Sequence, residues 1–451
     1  MQLESLSSSS LLLVDWFTGG RAARGEHWDF GQLSNVLAVD TADGQPVLRD
    51  TLHMAGGAAL RQHMGDTTVM ATVVLLGPRT AVTAGRLLEA FGTRSESGAG
   101  SALAAHDPVV SCSPFGTGCV MRVAASHQEA LAAFLLEHVG DLAGELDNNP
   151  FAEMLGNTNG VVLGAVDKAV SSCSAEQLAP AYDPYDLLRG SLVASEPTES
   201  VPMSPVTQLA TWQLLDSSLP TGAFAHSSGL EAAVAVAGLE HLRDEDNLTA
   251  HLWAQVVNSA TSQLPFVMAG ARLADDRALE ALLPAWDALD RLAGAVVLNA
   301  GARRASIGQG AALLRIVAAM LPDTADLCQA LRQPREPADS PAAQLDEARG
   351  RLHLAPMFGL AARLIDPALT PDTTALMFLY SVLRALLAAA LRLNLVGPMR
   401  ATHLQHHLGN QLPDLLDRVR NLTPDDAHAV APKLELYAAL HDRLFSRIFN
   451  S

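Results

Sequence analysis

The sequence predicts an α+β chain of two unlike parts, a β-rich N-terminal domain closed by a helix and an all-α C-terminal domain. Three observations carry this. Residues 11–125 hold short apolar runs (LLLVDWF, NVLAV, VMATVVLLG, GCVMRVAAS) broken by Gly, Asp and Pro, the pattern of strands and turns. Asp141 to Glu199 carries ten acidic and two basic residues, with prolines at 150, 180, 184 and 197. Beyond Pro205 the chain is rich in Ala and Leu at helical spacing. The expected division is a β-rich domain over 1–155, an acidic, Pro-containing linker over 156–204 and a helical domain over 205–451.

Each element has a local reason. In SHQEALAAFLLEHVGDLAGEL (Ser126 to Leu146), residues Leu131, Phe134, Leu135, His138 and Val139 share one helical face. WQLLDSSLPTGAFAHSSGLE, from Trp212 to Glu231, reads as a helix, a corner at Pro220 to Gly222, and a second helix. Ser228 and Glu231 have capping-box spacing ahead of that second helix. Prolines mark helix breaks near 265, 284, 322 and 367, and Arg332 to Pro341 reads as an exposed loop. Ala375 to Leu395 is the most lipid-like stretch, but Arg384 and Arg392 interrupt it, so a buried core helix is expected rather than a membrane span. An unpaired buried charge is costly. Both arginines are therefore expected to reach the surface or pair with carboxylates, or else to edge a partner interface.

Composition bounds the function. At 451 residues, with 49% apolar and 17% charged side chains, the chain can bury two or three cores. Net charge is −18, and residues 1–200 hold 10 basic against 23 acidic side chains. No basic stripe is present to neutralise phosphates, which argues against nucleic-acid binding. Four cysteines do not make a disulfide framework in so long a chain, and the N-terminus lacks the basic region of a signal peptide. A cytoplasmic protein is expected. Neither lysine follows a Gly-rich turn, so a P-loop is absent, as is a GxSxG elbow. His403, His406 and His407 would share a helical face and imidazole suits nickel, but no Cys or carboxylate accompanies them; they are weak metal candidates beside a reading as solvated histidines. Cys112 and Cys119 lack structural-zinc spacing.

Several blocks beyond Gln208 carry a resemblance. They are Gln213 to Asp216, Leu219 to Gly222, Phe224 to Ser227 and Gly229 to Glu231; Arg303, Arg304, Ala305, Ser306, Gln309 and Gly310; HLAPMFGL; Tyr380, Ser381, Arg384, Arg392, Leu393, Leu395 and Gly397; and the tail with Pro432, Leu434, Glu435, His441, Phe445, Ser446, Arg447 and Phe449. Together they resemble the urease accessory protein UreF in its plant-type form, over about residues 205–451. Leu11 to Phe30, with Asp15, Trp16, Arg21, Gly25, Glu26 and Trp28, and Ser113 to Val139 resemble UreD (UreH), covering only the C-terminal half of that family. A half-sheet leaves an open strand edge, a liability unless another chain covers it.

The resemblance implies a nickel-insertion chaperone rather than an enzyme, with Ni2+ as cargo passing through a UreD–UreF tunnel. It implies GTP bound by a separate UreG-type GTPase, apo-urease as client, UreD or its missing half as partner, and pairing of UreF units into a dimer. It places Pro220, Gly222, Phe224, His226, Glu231, Arg303, Arg304, Tyr380, Arg384, Arg392, His441, Phe445, Ser446, Arg447 and Phe449 at partner contacts, the tail gripping UreD. The rival classes are an all-α interaction adaptor unrelated to metal and a hydrolase with an unrecognised Ser-His pair.

Overall fold

A computed structural model describes residues 2–3, 9–20, 27–92, 107–145, 160–165, 205–275, 279–333, 343, 346–347 and 349–451. The N-terminal half contains two sheets. Strands β1 (Gln2–Leu3), β3 (Gln32–Thr41) and β4 (Pro46–Ala55) form one, in the order β1-β3-β4. Strands β2 (Leu11–Thr18), β5 (Val69–Leu76), β6 (Val109–Phe115), β7 (Gly118–Ala125) and β8 (Gly160–Ala165) form the other, in the order β6-β7-β5-β2-β8. The apolar runs are continuous rather than alternating because both faces of the larger sheet are covered. Leu12, Val14 and Trp16 face helices Ala81–Phe91 and Gln128–Val139, while Leu11 and Leu13 face the smaller sheet. Residues 160–165, placed in the linker by composition, instead pair with β2, Leu13 opposite Leu163. The remainder of 156–204 lies outside the described residues.

Beyond Pro205 the described chain is helical, as the spacing predicts. The apolar helix Pro371–Arg392 is the one described helix long and apolar enough to cross a membrane, with mean hydropathy 1.9, and it packs against Glu245–Ser262 and Leu264–Leu273. It starts where the Thr370 hydroxyl accepts from the Thr373 amide. Pro265 and Pro322 stand at helix starts, but Pro284 lies inside helix Leu279–Val296. A proline this near the N-terminus forfeits one bond, to the Glu280 carbonyl, and the helix continues.

Helices Leu264–Leu273 and Leu354–Ile365 approach to backbone contact at glycine. A Cβ on Gly359 would stand 1.9 Å from the Val267 carbonyl oxygen, and one on Gly270 would stand 2.2 Å from that of Pro356. Gly359→Ala is expected to force the helices apart and lower stability by about 3 kcal/mol, measured by denaturant unfolding; an unchanged midpoint would show that this crossing tolerates separation.

The two halves share one apolar core. Phe17, Trp28, Leu52, Met54, Met64 and Met70 belong to the same buried cluster as the helical interior. Two strand edges are covered at this seam by the chain itself. Along β4, the His53 amide donates to the Ala429 carbonyl at 2.9 Å and the Ala429 amide to the Thr51 carbonyl at 2.8 Å. Along β6, Arg443 donates to the Val110 carbonyl at 2.9 Å and Arg303 to the Pro114 carbonyl at 2.7 Å. The helical half thus does for these edges what a second chain was expected to do.

Candidate functional site

Strand register builds a polar row into the larger sheet. Asp15 on β2 lies opposite Thr72 on β5, and Thr72 lies opposite Arg122 on β7. These side chains share the face turned to β3 and β4, from which Asn35 and Asp50 approach. Arg122 forms an ion pair with Asp50 at 3.0 Å and donates to the Thr72 hydroxyl at 3.2 Å, while Asn35 donates to the Asp15 carboxylate. Across the seam, helix Pro432–Leu440 contributes Glu435 to the same small cavity of about 20 Å3.

Burial pushes the Asp15 carboxyl up to about 6, against the hydrogen bond from Asn35. Glu435 is likewise raised by burial, against the pull of Arg122. Burial opposes the charge on Arg122, but Asp50, Glu435 and Asp15 outweigh it and its pKa is raised. Glu435 also lines a second cavity, of about 260 Å3, inside the helical half. Gln255, Asn258, Ser259, Ser262, Ser306 and Gln309 place polar groups in a wall that is otherwise mainly apolar. One carboxyl side chain therefore lines two cavities, one at the seam and one within the helical half.

The corner after Trp212 lines part of the larger cavity. Gly222 and Gly229 have φ of 81° and 84°, and a Cβ on Gly229 would meet the Ala438 amide nitrogen at 2.8 Å, so the corner needs glycine there. The C-terminal tail lies on this corner. Asn450 N–H donates to the Ala225 carbonyl at 2.7 Å, Ser227 N–H to the Ser451 carbonyl at 2.6 Å, and His226 Nδ1 lies 2.7 Å from Ser451 Oγ. Glu231 fastens the tail. Its carboxylate accepts from Ile448 N–H at 2.6 Å, from Phe449 N–H at 3.1 Å and from His441 Nε2 at 2.8 Å.

A family model described as UreF matches residues 242–409. Urease accessory protein F of Arabidopsis thaliana is 34% identical over 248 residues, which cover 55% of this chain and 94% of that protein. The chain belongs to the UreF family. A second model, described as UreD urease accessory protein, matches residues 1–154. Urease accessory protein UreD of Sorangium cellulosum is 39% identical over 146 residues, 32% of this chain and 44% of that protein. For urease accessory protein D of Arabidopsis thaliana the figures are 30% over 167 residues, 33% and 57%. The chain is thus a UreD–UreF fusion, a urease accessory protein with a role in urease maturation, and it spans about half the length of these UreD relatives.

Within the UreF half, most of the predicted residues gather in one region around the corner and tail. Pro220 and Phe224 are exposed, and Phe445, Ser446 and Arg447 follow on the tail, also exposed. Arg392 donates to the Phe224 carbonyl and lies 4.2 Å from the Phe449 ring, and Arg384 donates to the Leu215 carbonyl. Both guanidinium groups hold backbone carbonyls at the corner, that of Leu215 being a helix-terminal oxygen with no intrahelical partner, and Asp216 lies within electrostatic reach of Arg384. Arg304 and Arg447 both reach Asp442, at 2.6 and 3.2 Å. The Tyr380 hydroxyl, one turn before Arg384 on the same helix, accepts from Gln405 at 2.7 Å.

Arg303 is buried, donates to the Val297 and Leu298 carbonyls as well as to β6, and is pushed down to about 10 by burial with Arg304 adding. The capping box is not formed: Gly229 takes the N-cap position, and Glu231 is drawn to the tail, where it accepts from the Ile448 and Phe449 amides.

In the UreD-like half, Asp15 enters the polar row, Trp16 is buried against the two helices, and Trp28 donates its indole N–H to the Thr67 carbonyl at 2.8 Å. Arg21, Gly25 and Glu26 lie outside the described residues. His403 and His407 stack at 6.4 Å on an exposed helix face, with Arg400 against His403 Nδ1. Among the described residues no group of three or more His, Cys, Asp or Glu is arranged to hold a metal ion. Sequence reasoning missed Asp50 and Arg122, and Glu435 as a seam residue; a lone arginine inside the apolar run GCVMRVAA was the available signal.

Proposed function

We propose that this fusion is a nickel-insertion chaperone that makes and breaks no covalent bonds itself. It binds apo-urease and a UreG-type GTPase in the cytoplasm and passes Ni2+ across the seam during GTP-dependent urease activation. A UreD chain, or the half of UreD that this chain lacks, completes the assembly, and two UreF halves pair. The GTP is bound by the GTPase partner.

The observation that supports this reading best is the pair of cavities that share Glu435 as a lining residue. Carboxylate, amide and hydroxyl oxygens can pass a divalent cation along without trapping it, whereas a closed set of Cys or His ligands would hold it. An arriving cation would favour the ionised forms of Asp15 and Glu435, against the burial that raises both carboxyls, while Arg122 offsets part of the carboxylate charge along the route. Phe224, Phe445 and Ile448, exposed around Arg392, supply the apolar surface with an arginine that protein partners favour.

Urease activation in cells lacking UreD and UreF tests this, with the full chain complementing. Filling the larger cavity with Ser259→Leu is expected to lower the nickel content of urease about tenfold or more while leaving retention of the GTPase partner unchanged. Full nickel loading through the filled cavity would overturn the route. Failure of the unmodified chain to retain either urease or the GTPase would favour an adaptor unrelated to metal.

A further inference from the structure

Four histidines lie along the seam in two pairs, each pair drawing one residue from each half. His53 on β4 packs edge-to-face against His428, ring centroids 4.4 Å apart. The backbone beside them carries the edge pairing, the His53 amide donating to Ala429 and the His428 amide to Thr261 at 3.2 Å. His428 Nδ1 lies 2.8 Å from the Asp426 carbonyl, so this nitrogen carries the proton and the ring is held as one neutral tautomer. The second pair is His63, on helix Ala58–Met64, and His251, on helix Glu245–Ser262. In each, Nε2 is buried without a hydrogen-bond partner. Lys433 closes this pair off, donating to the Met64 carbonyl at 3.0 Å.

We propose that the seam is an acid-sensitive joint: protonation of these paired imidazoles parts the UreD-like half from the UreF half. An imidazolium in either pair would be a cation against an apolar wall or a second ring, whereas in the opened state water solvates it. The facing charges do not rescue it. Around the second pair stand His241, Lys433 and Tyr437, with Asp66 acting on Lys433; around the first, Asp426 is the acidic neighbour.

Burial lowers all four, His63 to about 3 and His251 and His428 to about 4. These are bases whose closed-state values lie below the free value of 6.5. The closed joint is therefore fully favoured above that value and loses ground as pH falls from 6.5 toward 4. At pH 5 each imidazole held near 4 or below shifts the balance about 30-fold toward opening. Asp15 and Glu435 titrate at the same seam in the opposite sense, since their closed-state values are raised and protonation favours closure. Three strongly lowered imidazoles outweigh them. Opening would separate Glu435 from Asp15, Asp50 and Arg122 and so interrupt the polar route. The inference itself rests on the seam and holds whether or not nickel uses that route.

Hydrogen exchange of the full chain at pH 7.5 and 5.0, with rates normalised for intrinsic chemistry, tests this. Protection of the His53 and Ala429 amides is expected to fall by about 30-fold or more at pH 5.0, while that of β5 and helix Pro371–Arg392 persists. Two variants, His53→Asn/His428→Asn and His63→Leu/His251→Leu, each remove one pair and are each expected to shrink the pH effect. The comparison is made within each protein, so a general loss of stability does not imitate it. Equal protection at both pH values would overturn the proposal, as would loss at the seam together with the core, or a full pH response in both variants.

Discussion

Glu231→Ala will release the C-terminal tail from the corner. The substitution leaves the Ile448 and Phe449 amides and His441 Nε2 without their acceptor, in a site where Glu231 is only 8% exposed and His441 1%. An unpartnered buried donor costs about 1–3 kcal/mol, and charge-assisted bonds stand at the upper end. A loss of about 3–5 kcal/mol is expected, or release of the tail to avoid it. Limited proteolysis after Leu444 and hydrogen exchange at Ile448 and Phe449 distinguish the two. Glu231→Gln keeps one acceptor oxygen and should fall between. If the tail stays protected in Glu231→Ala, then the backbone bonds of Ser227 and Asn450 hold it unaided. Because Phe445 and Ile448 are presented on this tail, its release should also weaken capture of whichever protein docks there.

Arg122→Met should have a similarly large effect, with a pH signature. The guanidinium is the cation among Asp15, Asp50 and Glu435, and the Arg122 and Asp50 side chains are each 15% exposed. Removing one partner of such a pair costs about 3–5 kcal/mol, because the carboxylates left behind are buried and uncompensated. Asp15 and Glu435 already have raised pKa values, and without Arg122 they rise further. An acid raised in the folded state stabilises while protonated and loses that contribution as pH climbs through its folded value. The deficit of the variant should therefore be greatest above about pH 6 and shrink toward pH 4–5. Urea midpoints across this range measure it; a deficit independent of pH would show that Arg122 acts through packing alone.

Much of the fold was legible because its signals are local. Apolar runs marked β2, β3, β5 and β7, the spacing after Ser126 marked its helix, and Pro205 opens the first described helix of the second half. Helices Ala58–Met64 and Ala81–Phe91 were not anticipated, since each lies close to a strand signal in the same turn-rich stretch. The site was less legible for a different reason. Glu231 has capping-box spacing to Ser228, yet its partner His441 lies 210 residues downstream, and only tertiary packing brings donors that outcompete the cap. The Arg122 cluster draws single polar residues from β2, β3, β4, β5, β7 and the helix Pro432–Leu440. Each is ordinary on its own segment, and strand register is what aligns them.

The apolar core that runs unbroken from Trp28 and Met64 into the helices bears on assembly at low abundance. Two separate polypeptides would find each other only above a threshold set by their dissociation constant, and dilution would part them. Joined end to end, the same surfaces meet at an effective molarity fixed by the tether, so their occupancy is independent of expression level. A cell making a few copies of this protein obtains each one already paired, at a fixed ratio of one to one.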